Sequence, residues 1–375
     1  MSHAPTNTLR RRHDAIRQTL AAHGLDALVV TSLPNVLYLT NFTGSSGIAV
    51  ISADRLRFIT DFRYVTAVEG TRGAAYECPG LELHRVENSY DQALASVLAD
   101  MSGARVGFEA AHLTVSRHRW LEERLAGRPV LVPTEGIVER ARQRKDAYEI
   151  ATLREAARRL SAVAARVFGD VRGGRRERDI ALAIDWRLRE GGFDRSAFDT
   201  IVASGPNAAL PHARAGERIL TEGDLVVLDF GGVYDSYCVD LTRTVAVGTA
   251  SPRAREIHRA VLDAHDQAIA AVRPGRSRYD IDQAARGVLD ARGLGETFGH
   301  GTGHGLGIEV HEDPRISRRR DGDAAEAAVD AGMVFTIEPG AYLPGLGGVR
   351  IEDDVLVTPD GVEVLTEVAT DLLEV

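Results

Sequence analysis

Two stretches of this chain wrap strand-forming residues around a turn and place acids where the strands would pair, and no other feature constrains its fold as strongly. In the first, DLVVLDFGGVYDSYCVDLTRTVAVG (224–248), the central GGVYDS has the composition of a hairpin turn. Centred on Tyr234 and Asp235, that hairpin sets Asp229 opposite Asp240. Directly opposed residues bring their Cβ atoms to about 4.5–5.5 Å, near enough for two carboxylates to share an ion or a pair of ions. In the second, MVFTIEPGAYLPGLGGVRIEDDVLVT (333–358), Pro344, Gly345, Gly347 and Gly348 mark the turn, and Glu338 and Glu352 lie symmetrically about Gly345.

Between the hairpins lies FGHGTGHGLGIEVHEDP (298–314), where glycines and a threonine surround His300 and His304 and let the backbone approach a site closely. One acid near a strand end is ordinarily a solvated or turn residue. Four in two matched hairpins, with an imidazole beside them, are poorly explained by chance. Asp229, Asp240, His304, Glu338 and Glu352 form an oxygen and nitrogen donor set that suits Mn²⁺, Co²⁺ or Zn²⁺ better than a thiolate-preferring ion. Two such ions can activate a water and hold both oxygens of a displacement, so hydrolysis is the expected reaction. His212 and His311, taken alone, read as ordinary loop histidines.

The rest of the chain surrounds these motifs with an α/β framework. Its 375 residues exceed what a single core usually holds, which predicts two domains. Helical spacing over 8–23, 88–101 and 112–125 alternates with strand-like 25–32, 47–52 and 56–60, the pattern of an α/β unit. After Pro133 a charged, Ala-rich helical pattern runs to about Phe168, and the boundary falls near 133–145. Further helices are expected over 177–191, 252–272 and 279–292. A net charge of −9 argues against nucleic-acid or anionic-lipid partners, and the clusters at 10–12 and 318–320 read as solvated surface. Two cysteines make no disulfide framework, and no apolar run is long enough to span a membrane, so the expected location is the cytoplasm. No nucleotide-binding glycine motif is placed between a strand and a helix.

Taken together, LPHARAG, LDFGGVYDSYCVDLTRT, GHGTGHGLGIEVHEDP, TIEPGAY and GVRIEDD resemble the pita-bread metallopeptidases, specifically the Xaa-Pro branch that holds aminopeptidase P and prolidase. NVLYLTNFTGSSG (35–47) and TDFRY (60–64) extend the resemblance to the short bacterial members. It implies a creatinase-like N-terminal α/β domain over 1–135, serving substrate access and dimerisation. A pita-bread catalytic domain with a curved antiparallel sheet would follow over 136–375. It further implies two divalent ions, Mn²⁺ foremost, with Asp229 on the first, Asp240 and Glu352 bridging, and His304 and Glu338 completing the second. By the same resemblance Glu338 moves a proton, His311 faces the scissile carbonyl and His212 lines the proline pocket. Arg350 would pair with Asp240, and Tyr342 would sit near the reacting centre. The implied activity is Xaa-Pro aminopeptidase action on dipeptides or short peptides in a homodimer, with Tyr38, Phe42 and 44–47 near the partner's site. A strict Xaa-Pro dipeptidase and a non-enzymatic pita-bread binding protein are the alternatives. Creatinase lacks the ligand set, and methionine aminopeptidase lacks the N-terminal domain.

Overall fold

The computed structural model describes residues 3–322 and 327–375. The chain divides between Arg142 and Gln143 into two compact units.

In the first unit, strands β1 (Ala27–Val30), β2 (Ile48–Ser52), β3 (Leu56–Thr60), β4 (Leu81–Arg85), β5 (Arg105–Glu109) and β6 (Val130–Thr134) form one mixed sheet in the order β4-β3-β2-β1-β5-β6. Helices α1 (Thr6–Ala22), α2 (Leu33–Thr40), α3 (Phe62–Glu69), α4 (Tyr90–Ala99), α5 (Val115–Leu125) and α6 (Ile137–Gln143) connect or flank the strands. Near-continuous apolar strands such as Ala27–Val30 are buried on both faces, as sheets with parallel neighbours require. The start of α2 is held by Glu109, whose carboxylate accepts from the Thr31 and Ser32 amides at 2.6 and 2.7 Å and from Asn35 Nδ2 at 2.6 Å.

The second unit begins with α7 (Ala147–Val167) and α8 (Glu177–Glu190), followed by short β7 (Arg195–Ser196) and β8 (Ile201–Ser204) and the long strands β9 (Leu225–Tyr234) and β10 (Tyr237–Ala246). Then come α9 (Pro252–Ala271), α10 (Arg278–Ala291), β11 (Gly303–Gly305), β12 (Glu312–Ile316), β13 (Val334–Ile337), β14 (Gly340–Leu343), β15 (Gly347–Arg350), β16 (Asp353–Thr358), β17 (Gly361–Val364) and β18 (Leu373–Glu374). Leu153, Ala156, Leu160, Val163, Ala164 and Val167 recur at helical spacing along α7, and with Ile180, Ile184 and Leu188 of α8 they pack on Val226, Leu228 and Phe230 of β9. A second core joins Ile257, Val261 and Ala264 of α9 and Ile281, Ala285 and Leu289 of α10 to Phe335, Ile337, Val355 and Val357. Two sheets thus each bury one face under a helix pair, and strand alternation leaves Asp229, Asp240, Glu338 and Glu352 on the other faces.

The helical pattern expected after Pro133 and running to about Phe168 is divided between two helices. Strand β6 and helix α6 come first, and α7 restarts at Ala147 because Asp146 caps it. The Asp146 carboxylate accepts from the Tyr148 and Glu149 amides at 2.9 and 3.0 Å, and Glu149 reaches back to the Asp146 amide at 3.0 Å.

The first hairpin also departs from expectation. Asp235 (φ 50°) and Ser236 (φ 72°) are its central residues, a pairing of positive φ angles that gives a type I′ turn. The ladder therefore pairs Asp229 with Thr242 and Asp240 with Gly231, so Asp229 and Asp240 are diagonal neighbours, not directly opposed. Moving the turn by one residue moves the pairing by two, which keeps both acids on one face. In the second hairpin, Ile337 pairs with Asp353 and Gly340 with Arg350, and the same register carries Glu338 opposite Glu352.

Gly231, across the ladder from Asp240, has no room for a side chain: a Cβ there would lie 2.2 Å from the Val239 carbonyl oxygen. Gly231→Ala is expected to destabilise the protein by about 1–3 kcal/mol through overpacking, measured by urea or thermal unfolding. An unchanged midpoint would contradict this account of the ladder.

Candidate metal centre

Asp240, His304 and Glu352 each offer a ligand atom within 4.8 Å of one another. Asp240 comes from β10 and Glu352 from just before β16, and the two meet because a bridge joins the sheets at Thr242 and Glu352, where the Glu352 amide donates to the Thr242 carbonyl at 3.1 Å. The Thr242 hydroxyl donates to Glu352 Oε2 at 2.5 Å. Asp240 is fixed by its own amide, which donates to Asp354 Oδ2 at 3.0 Å.

His304 sits in the short strand β11, its amide donating to Thr336 Oγ1 at 3.1 Å. Its Nδ1 lies 3.1 Å from the Gly305 carbonyl, which can only accept, so Nδ1 carries the proton and Nε2 keeps a lone pair for an ion. That Nε2 is 3.7 Å from Glu338 Oε1.

Asp229 is paired with Arg350, whose Nη2 donates to its Oδ2. This corrects the expectation that Arg350 pairs with Asp240: the diagonal register puts Asp229 within the guanidinium's reach. Arg350 also donates through Nη1 to the Tyr342 hydroxyl at 2.8 Å and to the Pro211 carbonyl at 3.3 Å, and through Nε to Thr242 Oγ1 at 3.2 Å.

Tyr342 is committed to this network. His300 Nδ1 donates to the Gly301 carbonyl at 2.8 Å, leaving Nε2 to accept from the Tyr342 hydroxyl at 2.9 Å while the phenol oxygen accepts from Arg350. His311 is exposed, its ring 4.4 Å from that of His304. His212 is exposed and follows Pro211, which Arg350 holds.

The electrostatics are those of acids crowded out of water. Burial first, then Asp229 and Asp354, push Asp240 well above the usual carboxylate range. Burial and then Asp240 do the same to Glu352. Burial raises Glu338 to about 7 against the opposing pull of Arg350. His304 is lowered to about 4 by burial and then by His311, so it is neutral near pH 7. Among the cations, Arg350 is already paired with Asp229. The remaining buried carboxylates and a neutral imidazole with a free lone pair match what a divalent ion requires.

Several contributors escaped sequence reading. Thr242 and Asp354 lie two residues from Asp240 and Glu352 on the same strand faces, a signal that alternation alone could have supplied. Arg315 lies opposite His304 in the β11–β12 ladder, and among the described residues it has no hydrogen-bond or ion-pair partner. Only the register reveals it.

Fold and site together define a metal-dependent hydrolase. The Metallopeptidase family M24 model matches residues 151–359, and the Creatinase/Prolidase N-terminal domain model matches residues 12–144. The chain belongs to metallopeptidase family M24. It is 39% identical to the uncharacterized peptidase YqhT of Bacillus subtilis (strain 168), over 96% of this chain and 99% of that protein. Among solved structures it resembles the Xaa-Pro dipeptidase from Bacillus anthracis (TM-score 0.91, 36% identity, covering 98% of this chain and 100% of that one). It also resembles the X-Pro aminopeptidase from Thermotoga maritima MSB8 (TM-score 0.85, 32% identity, 94% and 98% covered). The α/β class and the resemblance to the Xaa-Pro branch both hold.

Because Asp240, Glu338 and Glu352 hold protons more tightly than ordinary acids, a cation must displace protons to enter. Titrating the metal-free protein with Mn²⁺ at pH 7 should release about one proton or more, read by calorimetry in buffers of differing ionisation enthalpy. Affinity should fall as pH drops below about 7. Binding without proton release would refute this electrostatic picture.

Proposed function

We propose that the protein is an Xaa-Pro peptidase in which Asp229, Asp240, His304, Glu338 and Glu352 hold two divalent ions, Mn²⁺ foremost. The supporting observation is the convergence of Asp240, His304 and Glu352 within 4.8 Å, with Glu338 at 3.7 Å from His304. Bound divalent ions would lower the pKa of a water and polarise the scissile carbonyl.

The protein's own groups supply the rest. Glu338, 3.7 Å from His304, is placed to take a proton from the attacking water and pass it to the departing nitrogen. That nitrogen belongs to proline, a tertiary amide with no N–H for an ordinary peptidase to hold. His311, beside His304, serves as the donor to the carbonyl oxygen as charge develops there. Arg350 keeps Asp229 oriented and, through the Pro211 carbonyl, fixes the segment carrying His212 on the proline side.

Arg315 bears on substrate length. A guanidinium beside His304 and His311, without a partner among the described residues, is placed to pair with a free carboxylate on the leaving proline. This favours dipeptides as the better substrates, with short peptides as poorer ones. The B. anthracis relative is named a dipeptidase and the T. maritima relative an aminopeptidase, so the two names point to different lengths.

Chelation should abolish cleavage of Ala-Pro, and Mn²⁺ should restore it; full activity after complete metal removal would sink the reading. Arg315→Ala should raise KM for Ala-Pro by about tenfold or more, as loss of a charge-assisted hydrogen bond does. Hydrolysis of Ala-Pro-Ala and Ala-Pro amide should change little. Equal effects on all three substrates would remove Arg315 from carboxylate recognition.

A further inference from the structure

Of the 45 lysine and arginine residues in the chain, one is a lysine, Lys145. Its side chain is 1% exposed and its Nζ lies 3.2 Å from Oε2 of Glu312, itself 7% exposed. A chain that uses arginine for every other cation has lysine at a buried one, and the surroundings give the physical reason. A Cβ at Gly307 would lie 3.1 Å from Lys145 Cε and 3.0 Å from both Glu312 carboxylate oxygens. The slot accommodates a slender stem with a point charge, whereas a guanidinium brings a wide planar fork.

The pair closes one loop. Gly305 of β11 pairs with Glu312 of β12, so residues 306–311 form the connection between His304 and the strand that follows His311. Glu312 Oε1 accepts from the Glu309 amide at 3.0 Å, and the Gly307 amide donates to the Glu309 carbonyl at 3.0 Å. The Cys238 amide pins the Gly307 carbonyl at 2.7 Å. Lys145 is itself anchored, its amide donating to the Gly332 carbonyl at 2.8 Å, and α7 begins immediately afterwards at the Asp146 cap.

We propose that Lys145 and Glu312 are positioning residues for His311: their buried ion pair locks the 306–311 loop and holds the His311 imidazole beside His304. This rests on the reading of His311 as the group that meets the scissile carbonyl. Neither Lys145 nor Glu312 is a metal ligand in that reading, so the pair acts on catalysis and leaves metal binding alone.

The test uses full-length Mn²⁺-loaded enzyme with Ala-Pro as substrate. Removing one partner would leave the other charge buried, so the main variant is Lys145→Met/Glu312→Gln, which removes both charges together. It should lower kcat by about 10- to 100-fold while KM changes by less than about threefold. Lys145→Arg should fail to match the wild type, although it keeps the charge. Gly307→Ala keeps both charges, wedges a methyl group against them and should lower kcat in the same direction, which keeps the test open should the double variant not fold. In a His311→Ala background the double substitution should lower kcat by less than about twofold further, since there is no longer an imidazole to position. Mn²⁺ affinity, measured by calorimetry, should stay within about threefold of wild type throughout. Equal losses of kcat with and without His311, a wild-type kcat in Lys145→Arg, or a collapse of Mn²⁺ affinity would each overturn the proposal. An unchanged kcat in His311→Ala alone would overturn the reading of His311 and with it the purpose of the pair, an outcome visible without any Lys145 variant.

Discussion

The centre depends on one seam. Two sheets, each covered on its outer side by a helix pair, are joined where Glu352 bridges to Thr242, and the Thr242 hydroxyl reaches the Glu352 carboxylate. Arg243 fastens the same point from the backbone side. Its guanidinium donates to the Glu352 carbonyl at 2.6 Å, to Asp353 Oδ1 at 2.8 Å and to the Val368 and Ala369 carbonyls at 2.7 and 2.9 Å. Without that junction each hairpin would display two acids to water at ordinary pKa values. With it, carboxylates from both hairpins share one largely buried volume, and their mutual repulsion becomes an affinity for a cation.

Around Asp229, the polar groups outside the donor set have their hydrogen-bonding capacity largely assigned. Arg350 divides its donors among Asp229, Tyr342, Thr242 and Pro211, and Tyr342 is held between Arg350 and His300. The positive charge thus goes to Asp229, away from Asp240 and Glu352, which keep the excess negative charge. A guanidinium placed on Asp240 would have neutralised the acid that lies within reach of both His304 and Glu352. The diagonal register of the first hairpin prevents this, since it separates Asp229 from Asp240 along the ladder and lets Asp229 take the arginine through one carboxylate oxygen while Asp240 takes none.

Much of this was legible in the sequence because it is local. The acids, the turn-forming residues and the periodicity of α7 through α10 are each set by neighbours within one element, so spacing alone locates them. The first hairpin shows where that stops. GGVYDS permits a turn at either of two adjacent positions, and the choice of Asp235 and Ser236 rests on their tolerance of positive φ. The shift of the turn changes which acids are opposed without changing which face they occupy. The helical pattern expected before Phe168 divides in two for a comparable reason: composition there favours helix throughout, and the Asp146 cap competes locally with it.

What spacing cannot supply is contact between distant segments. Lys145 and Glu312 are 167 residues apart, and nothing near either one announces the other. A residue count does carry a trace of the relation, since the only lysine of an arginine-rich chain marks a place where the usual cation does not fit. The general point is physical: at a solvated surface arginine and lysine are nearly interchangeable, so a compositional preference runs unopposed, but a narrow buried slot distinguishes them by shape. Gly307 makes the same point from the opposite side, since a glycine in a loop reads as flexibility until the carboxylate and ammonium packed against its missing side chain are seen.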